Sequence, residues 1–67
     1  MTEAERRLLR ALALMCEQYL VSGDELDHRF MTAGENALSA LADYGLVTLS
    51  PRGGRWTQPG TEFLNSD

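Results

Sequence analysis

Residues 42–60, ADYGLVTLSPRGGRWTQPG, contain the signals that decide the fold. They predict a helix that ends at Gly45, a strand VTLS, a turn PRGG and a second strand RWTQ. Pro51 and the pair Gly53–Gly54 are typical of a tight turn between two antiparallel strands. Thr57 followed by Pro59 is typical of a helix start, where the missing N–H of proline costs nothing. The stretch therefore predicts a helix, a β-hairpin and a terminal helix.

The chain before this stretch predicts a first helix over residues 2–21. Thr2 and Glu5 have the spacing of a capping box, in which each side chain bonds the other residue's backbone N–H. Gly23 suits the left-handed residue that ends a helix. Residues at three- and four-residue spacing form one apolar face, predicted to be the core face: Leu8, Leu12, Met15, Cys16, Tyr19 and Leu20.

Two further helices are predicted between residues 24 and 45. The segment DELDHRF, residues 24–30, is interpreted as a short helix capped by Asp24 or by Ser22. The segment 32–45 opens with a second capping-box pair, Thr32 and Glu35, and carries inward-facing apolar residues such as Leu38.

Length and composition predict a single domain over residues 1–67. Apolar residues make up 43% of the chain, which is typical of a globular protein. We expect no signal peptide and no membrane span, because no apolar run reaches about 18 residues. Cys16 is the only cysteine, so an internal disulfide is excluded and a cytoplasmic location is expected. The formal net charge is −4, and the six basic residues include no lysine.

The predicted fold is mainly α with a small β-hairpin. Its elements are, in order, three helices, a two-stranded wing and a short C-terminal helix. Residues 24–64 resemble the helix–wing segment of winged helix-turn-helix regulators of the MarR and PadR kind. The matching positions are Leu41, Gly45, Leu46, Val47, Thr57 and Gly60. The resemblance implies a third helix that enters the major groove of DNA and a wing that touches the backbone or the minor groove.

The residues available for DNA contact are few. On the side of the third helix opposite the leucines, Asn36 could pair with adenine and Ser39 could touch a phosphate or a base. Arg52 and Arg55 in the wing could contact the backbone. One hypothesis is therefore a dimeric DNA-binding transcriptional regulator that uses these four residues.

The charge distribution favours a different function. All of the net charge lies in residues 21–47, where one arginine, Arg29, accompanies five acids: Asp24, Glu25, Asp27, Glu35 and Asp43. Binding to DNA depends on neutralising phosphates, which this segment disfavours. The leading hypothesis is a non-catalytic module that binds protein through these acids together with Arg52 and Arg55. By size and charge the chain resembles small phage regulators and inhibitors, including anti-CRISPR proteins, which implies a host nucleic-acid-binding complex as partner.

The first helix carries a second apolar stripe. Ala11, Leu14, Gln18 and Val21 follow one another at three- and four-residue steps, away from the predicted core face. The stripe is interpreted either as the seam of a homodimer or as exposed residues without a role, since single exposed leucines are common.

Trp56 allows two interpretations. Tryptophan and arginine are enriched at binding hot spots, so PRGGRW, residues 51–56, is a candidate contact loop. Alternatively Trp56 packs on the third helix and closes the core. Arg52 and Arg55 are expected to be exposed in both cases.

The sequence predicts no enzyme, no cofactor and no metal site. His28 lacks partners at metal-ligand spacing, and Cys16 is interpreted as an inert buried thiol. The segment PRGGR lacks the Lys-Ser/Thr of a phosphate-binding loop.

Overall fold

The structure is a computed structural model that describes residues 1–66, and for Phe30 only the backbone. It contains three α-helices and a four-stranded antiparallel sheet, with strand order β1-β2-β4-β3. The elements are α1 (Glu3–Tyr19), β1 (Val21–Ser22), β2 (Glu25–Asp27), a 3-10 turn (His28–Phe30), α2 (Gly34–Asp43), β3 (Val47–Ser50), β4 (Gly53–Trp56) and α3 (Gln58–Asn65). The sequence predicts only two strands, so the description as mainly α with one hairpin is wrong in this respect.

Helix α1 begins as predicted, and the predicted core face is confirmed in part: Cys16 and Leu20 are buried, and Leu12 and Met15 pack against the core. The Thr2 side chain accepts from the Glu5 backbone, and the Glu5 side chain accepts from Thr2, which confirms the capping box. Leu8 and Tyr19 are 62% and 54% exposed. The buried residues of the helix and its cap are Leu9, Ala13, Cys16 and Leu20. The prediction is wrong at Leu8 and Tyr19, because the core side of α1 lies toward Leu9 and Ala13.

The predicted second helix is absent, and its segment forms a strand followed by the 3-10 turn. Gly23 has φ +65°, and this conformation lets the chain reverse between β1 and β2. Leu26 is then the register partner of Gly54 in β4 and is buried. The Asp27 side chain accepts from the backbone N–H of Arg29 and starts the 3-10 turn. Pairing with a strand distant in sequence therefore overrides the local helical pattern.

Helix α2 begins later than predicted and without the capping box. Its N-cap is Ala33, and no side chain bonds the cap, so Thr32 and Glu35 do not form the predicted pair. The first residue of the helix, Gly34, packs closely on Leu20, since a β-carbon there would lie 2.9 Å from a side-chain carbon of Leu20. The predicted end is confirmed: Gly45, with φ +75°, follows the last turn.

The β3–β4 hairpin is confirmed, but its turn is placed differently from the prediction. Ser50 pairs with Gly53, so Pro51 and Arg52 form a two-residue turn and both glycines of the PRGG segment belong to β4. A β-carbon on Gly53 would lie 2.1 Å from the Leu26 carbonyl oxygen. The glycines therefore let β2 approach β4, which joins the second pair of strands to the hairpin.

The start of α3 is confirmed. The Thr57 hydroxyl accepts from the backbone N–H of Gly60 and donates to the carbonyl of Gly45, at 3.0 and 2.7 Å. One side chain thus caps α3 and joins it to the end of α2. Helices α1 and α2 and the sheet enclose one core, whose buried apolar residues are Leu9, Ala13, Cys16, Leu20, Leu26, Ala37, Leu38, Leu41, Leu46 and Val47.

Candidate functional site

Helix α2 and the β3–β4 hairpin enclose a shallow groove of about 200 Å³. Leu38 is buried at its base, while Leu49, on the hairpin wall, is 52% exposed. Of the two apolar residues of β3, Val47 is buried and only it reaches the core, whereas Leu49 is exposed. The groove is lined by His28, Glu35, Leu38, Ser39, Leu49, Ser50, Pro51 and Gly53. It therefore combines apolar, hydroxyl and carboxylate groups, and no arginine is among its lining residues.

The outer surface of α2 carries the predicted polar residues. Asn36 and Ser39 are exposed, as the helical spacing requires of residues opposite the buried leucines. Glu35 lies in the first turn and Asp43 is the last residue of the helix, so the two carboxylates are about 12 Å apart along the axis. The exposed surface of α2 thus presents hydrogen-bonding groups between two acids.

Arg52 lies at the hairpin tip and is exposed. Its carbonyl accepts from the backbone N–H of His28 at 2.9 Å, which fastens the tip to the 3-10 turn. The position of the hairpin tip relative to the 3-10 turn is therefore held by a backbone hydrogen bond. The guanidinium of Arg52 is presented on this fixed tip.

Arg55 is also exposed, but its guanidinium is engaged within the chain. Its Nε lies 3.4 Å from Glu25 Oε1, and an Nη lies 3.6 Å from Asp24 Oδ2. Exposed ion pairs of this kind contribute little to stability. Their consequence here is electrostatic. Asp24, in the β1–β2 turn, and Glu25, at the start of β2, offset the charge of Arg55, which the sequence analysis names as a candidate for phosphate contact.

Asp27 is the one predicted site acid that is buried, with 4% exposure. Arg29 donates to its Oδ2 from Nε and Nη2, at 3.0 and 2.8 Å, and its backbone N–H donates to Oδ1 at 2.9 Å. These bonds lower the pKa of Asp27 to about 2 and raise the pKa of Arg29. Asp27 is therefore buried within this pair, whereas the side chain of Arg29 stays 59% exposed.

The five predicted acids therefore do not form one patch. Asp24 and Glu25 lie beside Arg55, Asp27 is buried, and Glu35 and Asp43 occupy the two ends of α2.

Trp56 is half-buried and packs against the core, as one of its two interpretations expects. Its indole Nε1–H donates to Glu17 Oε2 at 2.9 Å. Together with Asp24, Glu25 and residues of β1 and β2, this pair lines a second depression, of about 180 Å³. Glu17 was missed by the sequence reasoning, because nothing local connects it to a tryptophan 39 residues away.

The predicted seam is exposed along its whole length, with Leu14 at 48% and Val21 at 44%. Ala11, Leu14 and Gln18 lie on α1, whereas Val21 lies in β1 and does not continue the helical stripe.

The lone histidine lines the groove beside α2, whereas the lone cysteine lies in the core. Cys16 is fully buried, and burial raises the pKa of its thiol to about 11. Across residues 1–66, no three His, Cys, Asp or Glu side chains are grouped so that they could hold a metal ion.

The chain matches no family model, no curated protein and no solved structure. Within residues 1–66, no helix is both long and apolar enough to cross a bilayer.

Proposed function

We propose that this chain is a small winged helix that works as a non-catalytic binding module for another protein. Helix α2, the β3–β4 hairpin and the groove between them form the working surface. The order of α2, hairpin and terminal helix supports the winged-helix description, with β1 and β2 as additions and the 3-10 turn in place of the second helix.

We choose a protein partner over DNA because most arginines near the proposed surface form ion pairs with carboxylates of the chain. Of the three arginines after α1, Arg29 is held by Asp27 and Arg55 by Asp24 and Glu25. A surface that binds DNA needs cations that can replace counterions at phosphates. Among these three arginines, only Arg52 has no ion pair within the described residues.

The groups on the proposed surface are suited to binding a protein. The groove presents the exposed Leu49 beside Ser39 and Glu35, and apolar side chains ringed by polar groups are typical of protein interfaces. With Glu35 and Asp43 at its ends, α2 complements a basic partner surface, such as one that holds nucleic acid in a host complex. The resemblance in size and charge to phage inhibitors, including anti-CRISPR proteins, favours an inhibitor.

The first test measures binding to labelled duplex DNA of random sequence between about 50 and 200 mM salt. We expect no binding by the wild type. Asp24→Asn with Glu25→Gln frees Arg55 and should introduce weak, salt-sensitive binding. Glu35→Gln with Asp43→Asn changes the net charge equally but frees no arginine, so it should have less effect.

The second test uses the chain as bait in a nuclease-treated lysate of its host. A protein partner should be retained by the wild type, released by added duplex DNA, and lost when the bait carries Glu35→Gln, Asp43→Asn and Leu49→Ser. Retention that is unchanged by those substitutions would contradict the proposed surface.

A DNA-binding regulator is the second candidate, supported by the exposed Arg52 on the fixed hairpin tip and by Asn36 and Ser39 on α2. Submicromolar DNA binding by the wild type, steep in salt and abolished by Arg52→Ala with Arg55→Ala, would establish it and overturn the protein-binding proposal.

A further inference from the structure

The groove between α2 and the β3–β4 hairpin is lined by a carboxylate, Glu35, that forms no ion pair or hydrogen bond through its side chain within residues 1–66. Of the other acids in these residues, all but Asp43 bond to another residue of the chain: Glu3, Glu5, Glu17, Asp24, Glu25, Asp27 and Glu62. Glu35 and Asp43 both lie on α2, and only Glu35 lines the groove. The fold therefore presents an unpaired negative charge at a concave surface.

Two hydroxyl groups line the same groove. Ser39 lies one turn after Glu35 on α2, so the two side chains lie on the same side of the helix, about 6 Å apart along its axis. Ser50 lines the groove from the end of β3. Neither hydroxyl bonds another residue in the part of the chain that is described. A ligand in the groove thus meets a carboxylate and two hydroxyl groups that can all accept hydrogen bonds.

The hairpin adds apolar surface beside these acceptors. Leu49 is half exposed, Pro51 is exposed, and Leu38 is buried at the base. The space of about 200 Å³ is smaller than the roughly 300–1,000 Å³ of pockets that hold small-molecule ligands. It suits a single long side chain with an apolar stem and a positively charged end.

We infer that this groove binds an arginine side chain of the partner protein. The alkyl stem packs on Leu49 and Pro51, and the guanidinium donates to the Glu35 carboxylate and to the Ser39 hydroxyl. Arginine fits these acceptors better than lysine, because its planar group carries five N–H donors and is more weakly hydrated than an ammonium. Surfaces that hold nucleic acid also use arginine for bidentate phosphate contacts. The inference rests on the proposed function, since it names what the partner presents to the same surface.

The depression beside Trp56 is the competing site for a cation, because three carboxylates line it. Each of them already has a partner. Glu17 accepts from the indole of Trp56, and Asp24 and Glu25 pair with Arg55. A cation that entered this depression would have to displace those groups, whereas Glu35 is available without any rearrangement of ion pairs.

Methyl NMR of the full chain, labelled at its leucines, tests the inference at low salt. The probe is the acetylated and amidated peptide Gly-Gly-Arg-Gly-Gly, compared with the same peptide carrying lysine or citrulline in place of arginine. The arginine peptide should shift the methyl signals of Leu38 and Leu49 saturably and leave Leu26, in the depression beside Trp56, unchanged. The lysine peptide should bind more weakly. Citrulline has nearly the same shape without the charge, so its peptide should not bind.

Three variants locate the charge. Glu35→Gln should raise the dissociation constant of the arginine peptide about fivefold, the upper end for a solvent-exposed ion pair. Asp43→Asn is the matched control, because it removes the same charge from the other end of α2, and it should change the constant little. Arg52→Ala removes a like charge next to the lining residue Pro51 and should lower the constant. Spectra without peptide check that each variant is folded.

The inference would be overturned by the absence of a saturable shift up to about 10 mM peptide. Equal binding of the lysine or citrulline peptide, or equal losses from Glu35→Gln and Asp43→Asn, would overturn it as well. The lysate experiment separates this failure from failure of the proposed function. A bait that retains its partner while the arginine peptide does not bind removes the arginine site and leaves the function standing. Binding of the arginine peptide with no protein retained supports the site and overturns the protein-binding function.

Discussion

Gly53 lies so close to the carbonyl oxygen of Leu26 that a β-carbon built on it would be 2.1 Å from that oxygen. This approach lets β2 pair with β4 and turns a two-stranded hairpin into a four-stranded sheet. The same pairing places Asp24 and Glu25 beside Arg55. One glycine thus links the fold to the electrostatics of the candidate site.

We predict that Gly53→Ala destabilises the protein at the upper end of the roughly 1–3 kcal/mol typical of overpacking. The new methyl group would meet the backbone carbonyl of Leu26, which cannot move without separating β2 from β4. Gly23→Ala is the matched control: open space surrounds its β-carbon, and only the left-handed φ of +65° opposes it, at about 1–2 kcal/mol. Urea unfolding measures both, and equal losses would contradict the role of close strand packing.

The second prediction compares the loss of a buried leucine with the loss of an exposed one. Leu38 is fully buried, so Leu38→Ala should cost about 2–5 kcal/mol through lost burial and the cavity left behind. Leu49→Ala removes the same atoms from a side chain that is 52% exposed and should cost less than about 1 kcal/mol. If the two free energies of unfolding fell equally, Leu49 would have to be covered in solution.

Two carboxylates should make the protein sensitive to acid. Bonds from Arg29 lower the pKa of Asp27 from 3.8 to about 2, and the Tyr44 hydroxyl lowers the pKa of Glu5 from 4.5 to about 2. A folded-state pKa below the unfolded value stabilises the fold above the unfolded pKa. This stability is therefore present above about pH 4.5 and lost as the pH falls toward 2.

Unfolding in urea across that pH range measures the effect. Asp27→Asn and Glu5→Gln should each flatten part of the acid slope, and the double variant should flatten most of it. A double variant that keeps the wild-type slope would assign the acid sensitivity to other groups.

Cys16 provides a probe of global stability. It is fully buried and its thiol has a pKa of about 11, so a disulfide reagent at pH 8 should react with the native protein very slowly. In denaturing urea the reaction should be fast. At intermediate urea the rate should follow the population of the unfolded state. Native labelling as fast as unfolded labelling would show that the α1 end of the core opens locally.

The features predicted correctly are those that a few neighbouring residues decide. Thr2 with Glu5 at the start of α1, Gly45 at the end of α2, and Thr57 at the start of α3 act through their own side chains or backbone freedom. The exposure of Asn36 and Ser39 followed from helical periodicity in the same way.

The candidate site was only partly predictable, because distant residues complete it. The sequence shows five acids in residues 21–47 and three arginines after α1, but which of them form pairs depends on strand pairing. Asp27 is buried and paired with Arg29, and the charge of Arg55 is offset by acids about 30 positions away.

By itself, then, the sequence determined the caps of α1 and α3, the end of α2, the hairpin and the charge balance, because these depend on residues within a few positions of one another. Only the tertiary structure decided which residues of α1 are buried beside Cys16 and Leu20, since helical spacing allows Leu8 as well as Leu9 to share a face with them. It also decided that residues 25–27 form a strand, because that choice depends on a glycine-lined partner strand far along the chain. Long-range packing selects among local patterns that are otherwise equally acceptable.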